Sequence, residues 1–244
     1  MQPILRGAYA ARLAEAEDDL TEAQALRHLA FRPTSGAGQD SDEFDAVCRH
    51  LLVRETATDA LVACCRLQDF AAGSRLSAGY SAQFYDLSRL SRLPGRKLEI
   101  GRFCLHPARR DPDILRLAWG ALTAIVDEEE VALLFSCTSF PGADPALHLS
   151  ALAALRTHIA PEALRPGMRA AEIVPFPATG GDPAGLPPLL RSYLAMGGYV
   201  SDLAVIDHHL DTLHVLTILP IDRVPPARAR ALRAIVQGIA VSDS

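Results

Sequence analysis

The sequence predicts an α/β protein in which a mixed, largely antiparallel sheet is flanked by helices. Three observations predict it. Nearly half of the 244 residues are apolar, ample for a sizeable core. Apolar or alternating segments at 48–55, 60–68, 97–105, 131–138, 200–207 and 213–219 read as strands. Between them, 20–31, 114–128 and 187–196 read as helices bounded by start and stop signals.

In order, residues 7–14, GAYAARLA, form the first expected strand. Thr21 and Gln24 have capping-box spacing. Leu20, Ala23, Leu26, Ala30 and Phe31 then give a helix its apolar side, with Arg27 one turn before its end, where an arginine complements the helix dipole. PTSGAGQDSD at 33–42 is a loop by composition, and the acids Asp40, Asp42, Glu43 and Asp45 cluster around Phe44. Segments 48–55 and 60–68 alternate around TATD as a hairpin, with Arg66 near its end. Residues 71–91 are a polar connection carrying Phe84 and Tyr85.

The stretch 97–106, KLEIGRFCLH, organises the chain. Leu98 and Ile100 are apolar, yet Glu99 and Arg102 lie three residues apart within it. Strand residues at that spacing face opposite sides unless the backbone kinks, and Gly101 is the expected place for a kink. Buried charges are costly unless paired, so this acid and base call for a salt bridge or a functional site.

HPARRDPD at 106–113 leads into the second helix, VALLFSCT at 131–138 is a buried strand, and 139–148 enters another helix through Pro145. Residues 156–185 are rich in Pro and Gly. From Pro187, allowed in a first helical turn, a helix runs to Met196 and stops at Gly197 and Gly198. Segments 200–207 and 213–219 pair as final strands. Residues 226–241 form an amphipathic helix bearing Arg228, Arg230 and Arg233, expected to pack on the sheet or to rest on an anionic membrane surface.

The net charge of −5 argues against a general nucleic-acid binder. Locally the balance reverses: from Arg89 to Arg116, eight basic residues stand against three acids, which suggests an anionic partner met at one face. The opening residues lack the succession of a signal peptide and no apolar run reaches a membrane span, so a cytoplasmic location is expected. Five cysteines without CxxC spacing read as reduced, buried thiols.

The order Arg27, Phe31, Asp42, Asp45, Arg66, Glu99, Gly101, Arg102, Phe103 resembles the N-acyltransferase branch that contains the acyl-homoserine-lactone synthases. A closer likeness, over nearly the whole chain, is to the L-ornithine N(alpha)-acyltransferases of ornithine-lipid synthesis. It rests on ALRHLAFR, LEIGRFCLHP, SFPGADPALH, PPLLRSYLAMGG and VIDHHLDTLHVL, five separated motifs in a fixed order. The resemblance implies a single GNAT-type domain over 1–244, in which the strands at 97–105 and 131–138 splay to leave a cleft for an acyl-pantetheine. It implies transfer of a 3-hydroxyacyl chain from acyl carrier protein to the α-amino group of L-ornithine, giving lyso-ornithine lipid, with no permanently bound cofactor and no metal.

It also implies roles. Glu99 is the candidate base, with Arg102 ordering Glu99 or the loop acids and a backbone N–H near Phe103 or Cys104 supporting the oxyanion. Asp42 and Asp45, braced by Arg27 and Arg66, are expected to hold a cationic amino acid. Phe103, Ser139, Phe140, Asp144 and Arg191 match the family pattern, and Asp207 is a partner for the substrate amine or for an arginine. Ordinary acetyltransferases carry a Gly-rich loop before the second helix to hold coenzyme A pyrophosphate. This chain has Arg109 and Arg110 there instead, suited to a phosphopantetheine phosphate and an acidic carrier.

Alternatives within and outside that reading are a glutamine acceptor, a homoserine-lactone synthase and a non-catalytic carrier-binding module. His106 and Asp111 have the HxxxxD spacing of glycerolipid acyltransferases, a short motif easily met by chance. His208, His209, Asp211 and His214 are closely spaced but form no defined metal-ligand set.

Overall fold

The computed structural model describes residues 1–32 and 35–237. In chain order the elements are β1 (Ile4–Arg6), β2 (Tyr9–Leu13), α1 (Glu17–Phe31), β3 (Arg49–Glu55), β4 (Leu61–Phe70), β5 (Tyr85–Asp86), α2 (Ser88–Ser91), β6 (Arg96–Leu105), α3 (Pro112–Glu128) and β7 (Val131–Pro141). There follow α4 (Leu149–Ala154), β8 (Gly167–Met168), β9 (Ile173–Pro175), α5 (Pro188–Ala195), β10 (Tyr199–Val200), β11 (Leu203–Asp207), β12 (Thr212–Pro220) and α6 (Pro226–Gln237). The fold is the expected mixed α/β architecture of mostly antiparallel strands flanked by helices. The chain divides into two compact units: Met1–Asp69 with Ile100–Val131 and the chain from Pro226, and Phe70–Glu99 with Ala132–Pro225.

In the first unit β1, β2, β3 and β4 pair in sequence, each antiparallel to the last, and the later residues of β6 lie beside β4. Leu26 and Ala23 of α1 pack on Leu52, Cys64 and Cys104. Burying each large aliphatic side chain in this way contributes about 1.5–3 kcal/mol. The start of α1 differs from the expectation. Thr21 lies inside the helix, because Asp19 at the third helical position reaches back to the N–H groups of Glu15 (2.9 Å) and Ala16 (3.3 Å) while Arg12 clamps its carboxylate.

Helix α3 starts at Pro112 because Asp111 caps it, accepting from Asp113 N–H at 2.9 Å, and it buries Ile114, Leu117, Leu122 and Ile125. Gly120 lets α6 come close, since a Cβ there would fall 2.6 Å from Ile235 Cγ2. Arg233 of α6 makes two 2.7 Å hydrogen bonds to Asp127 of α3. Helix α6 therefore packs chiefly on α3, not on the sheet as expected; residues 238–241 of that expected helix lie outside the described residues. No helix among the described residues is long and apolar enough to cross a membrane.

In the second unit the order is the early part of β6, then β7, β12, β11 and β9, with β10 also on β12. One sheet face carries Phe135, Leu216, Ile218 and Val205 and is covered by Leu76, Ala82, Tyr85, Leu87 and Leu90 of the connection before β6. The opposite face carries Phe140, Leu213, Val215 and Ala204 and packs on α4 and α5. The expected strand 200–207 is broken at Ser201, whose hydroxyl donates to Leu203 O and accepts from Leu216 N–H. Helix α5 stops at Gly197, where φ is +87°, as the glycine pair predicts.

Candidate active site

The charges of the first unit converge on one buried network. Arg27, fully buried on α1, donates to Asp40 Oδ2 at 2.9 Å and to Asp45 Oδ1 at 2.6 Å. Arg66 of β4 pairs with Asp42 and reaches Asp45 at 3.1 Å. Arg102 of β6 donates to Asp40 at 3.0 Å and Asp42 at 3.1 Å, and Arg32 completes Asp40 at 3.1 Å. Burial alone would raise the Asp45 carboxyl; the hydrogen bonds and charge of Arg27, then of Arg66, outweigh it and hold the group well below the usual carboxylate range. Asp40 is held low by Arg102 and Arg27 in the same contest with burial.

This brings Arg27, Asp42, Asp45, Arg66 and Arg102 together as predicted, and adds Asp40. The expected role of Arg27 as a dipole partner at a helix end is replaced by a buried double ion pair. The aspartate oxygens are occupied by guanidinium groups, so the network fastens the 40–46 turn to α1, β4 and β6. Arg102 thus orders the loop acids, one of the roles expected for it. The kink expected at Gly101 falls one residue later: Arg102 has φ +50°, a left-handed conformation that costs a non-glycine residue roughly 1–2 kcal/mol. The two aspartates that hold its side chain offset that strain. Phe103 stacks on Trp119 with ring centroids 6.4 Å apart.

In the second unit Glu99 of β6 is 3% exposed. Its Oε1 accepts from Ser81 N–H at 2.7 Å and from Ser81 Oγ, and Cys137 Sγ of β7 donates to that same hydroxyl at 3.3 Å. The carboxylate is thus aimed by a short turn, Tyr80–Gln83, over the face of β7. Gly79 leaves its room, because a Cβ at that position would meet Glu99 Oε2 and lie 3.2 Å from Phe70 Cζ. Gly79→Ala is therefore expected to displace the carboxylate and lower kcat at least tenfold, while circular dichroism and the melting curve stay near wild type; an unchanged kcat would show that the placement of Glu99 is immaterial.

On the same face, Ser139 of β7 pairs opposite His214 of β12, and Asp207 of β11 opposite Thr212. Asp207 is buried and accepts from Leu210 N–H at 3.1 Å and Tyr80 O–H at 3.4 Å. Phe140 points to the other face, into the core against α4, with its ring 5.2 Å from His148. Asp144 is exposed and caps the next turn through Ala146 N–H at 2.9 Å, and Arg191 is exposed on α5.

In the first unit Arg109 and Arg110 are exposed in the turn before α3, Arg109 lying 3.3 Å from Glu55. His106 and Asp111 do not pair. The His106 ring accepts from Ala108 N–H, and Asp111 caps α3 and accepts from Tyr9 O–H at 3.1 Å, so the HxxxxD spacing is structural. The Cys104 thiol is raised well above its ordinary value by its hydrogen bond with Cys64 and by burial, which makes it a poor nucleophile. Sequence reasoning passed over Ser81, Thr212 and His214 as site residues. Only strand register puts the last two beside Asp207.

Residues 26–120 match the family described as acetyltransferase (GNAT) domain. The chain is 33% identical over 242 residues to the L-ornithine N(alpha)-acyltransferase of Brucella abortus, covering 89% of this chain and 86% of the relative. It is 32% identical over 237 residues to the enzyme of the same name from Rhizobium meliloti, covering 87% and 80%. Among solved structures it resembles FeeM, an N-acyl amino acid synthase from uncultured soil microbes, with TM-score 0.54, 9% identity and 88% and 92% coverage. It also resembles the CoA-dependent acyl-homoserine lactone synthase BjaI, with TM-score 0.53, 12% identity and 91% and 83% coverage. These likenesses give the fold, and the sequence relatives give the family. The chain is an acyltransferase that belongs to the L-ornithine N(alpha)-acyltransferase family.

Proposed function

We propose that this protein, acting as one N-acyltransferase domain, moves a 3-hydroxyacyl chain from acyl carrier protein to the α-amino group of L-ornithine, giving lyso-ornithine lipid. The observation that carries the reading is Glu99, a buried carboxylate aimed by Ser81 on the central strand of a chain whose relatives bear the ornithine acyltransferase name. An ammonium has no lone pair, so the amine must lose a proton. In this reading the neutral nitrogen attacks the thioester carbon and Glu99 takes the proton that nitrogen sheds. The C–S bond breaks, and the proton passes to the departing thiolate, leaving an amide and a free carrier thiol. A backbone N–H of β6 near Phe103 or Cys104 stabilises the oxyanion. The Arg27–Asp45 network acts at a distance, by holding Arg102 and the 40–46 turn in place. Arg109 and Arg110, exposed ahead of α3, meet the phosphate of the carrier arm and the acidic carrier surface.

The test is thiol release from purified 3-hydroxyacyl carrier protein. Release is expected only when ornithine and carrier thioester are both present, with glutamine a poor substitute. Release that ignores the amino acid, or that needs glutamine, would contradict the reading.

A further inference from the structure

Asp207 is 6% exposed, and no arginine or lysine pairs with it among the described residues. A buried carboxylate without a cation is costly. Two further buried polar atoms beside it lack any hydrogen-bond partner: Thr212 Oγ1 and His214 Nε2, the imidazole being 1% exposed. Register puts all three on one sheet face, Thr212 directly opposite Asp207 and His214 two residues along the same strand. Tyr80 and Phe84 stand against Asp207 and His214. Tyr80 O–H reaches Asp207, its ring meets Phe84 edge-on at 5.5 Å, and Phe84 meets the His214 ring at 4.7 Å.

We infer that Asp207, Thr212 and His214 form the subsite for the side-chain ammonium of the amino-acid acceptor. An ammonium brings three N–H donors and one positive charge. The subsite offers a carboxylate, a hydroxyl and an imidazole nitrogen as acceptors, and one negative charge. Burial drives the His214 pKa down to about 4, so at neutral pH the ring is uncharged and its bare nitrogen accepts rather than repels. Tyr85 O–H, 3.3 Å from His214 Nδ1 and from His214 O, supports the tautomer that leaves Nε2 bare. Glu99 lies on this face of the unit too, with Ser81 bridging it to Cys137. The acceptor would then be held by its distal nitrogen while the α-amine is presented to the base. The assignment rests on the acyl-transfer reading and adds to it the residues that choose the acceptor.

The test uses ornithine and norvaline, which keeps the α-amino acid and lacks the side-chain ammonium, with wild-type protein, Asp207→Asn and Thr212→Val. Both variants keep the local shape, and the amide of Asp207→Asn retains an oxygen for Leu210 N–H. In acyl transfer, wild type is expected to favour ornithine over norvaline at least 100-fold in kcat/KM. Asp207→Asn shrinks that preference at least tenfold, chiefly through KM, and Thr212→Val shrinks it about threefold. Calorimetric binding of the two amino acids is read on the same proteins. Ornithine transfer whose preference neither variant alters overturns the subsite and leaves the reaction standing. Ornithine binding that Asp207→Asn abolishes, with no transfer by wild type, supports the subsite and overturns the reaction. Equal ornithine binding by wild type and Asp207→Asn, or none by wild type, overturns the subsite.

Discussion

Glu99→Gln is expected to lower kcat by about 10²–10⁴-fold, the range a positioned general base supplies. Glutamine has nearly the same shape and its carbonyl oxygen still accepts from Ser81 N–H and Oγ, so packing around the 80–83 turn should persist. What it cannot do is take a proton from the attacking amine. The loss should therefore appear in kcat more than in KM for either substrate, with the melting temperature within a few degrees of wild type. Steady-state kinetics across pH 6–9 checks this: the variant is expected to gain rate as pH rises and free amine becomes more abundant. Wild-type turnover in the variant would remove Glu99 from the mechanism.

Arg27→Met is expected to have the largest effect on stability. Methionine fills much of the same space, but it leaves Asp40 and Asp45 buried without the guanidinium that bridges them. Breaking a buried pair by removing one partner costs about 3–5 kcal/mol, against a total stability of about 5–15 kcal/mol for a typical domain. The sign with pH follows from the two aspartates. Both are held below their ordinary value, so their contribution is fully present above about pH 4 and is lost as pH falls below it. Urea melts between pH 3 and 7 should show wild type losing stability steeply towards acid, and Arg27→Met starting lower with a shallower acid decline. Parallel curves for the two proteins would show that Arg27 does not set these carboxyl groups.

Much of this was legible where one face or one period dominates. The hairpin of β3 and β4, the buried β7, the end of α1 at Phe31 and the stop of α5 at Gly197 follow from alternation, helical spacing and glycine placement. Other features depend on long-range partners that local pattern does not carry. Gly101 looked like the hinge of β6, yet Arg102 takes the left-handed conformation because Asp40 and Asp42, some sixty residues earlier, hold its guanidinium. Thr21 had the spacing of a cap, but Asp19 was already fixed by Arg12 across the turn. The candidate site divides the same way. Glu99, Arg102 and the loop acids announce themselves as charges in or beside apolar segments. His214 looked like one of a loose histidine run near a turn, and only the pairing of β11 with β12 shows it inward, beside Asp207 and Thr212.

In the proposed reaction the chain makes an amide at one particular nitrogen. Tandem mass spectrometry of the product formed by purified protein from 3-hydroxyacyl carrier protein and ornithine reads this directly. The expected product carries a single 3-hydroxyacyl chain on the α-nitrogen with the side-chain amine free; acylation of the side-chain nitrogen, or no ornithine amide at all, would contradict the proposed reaction.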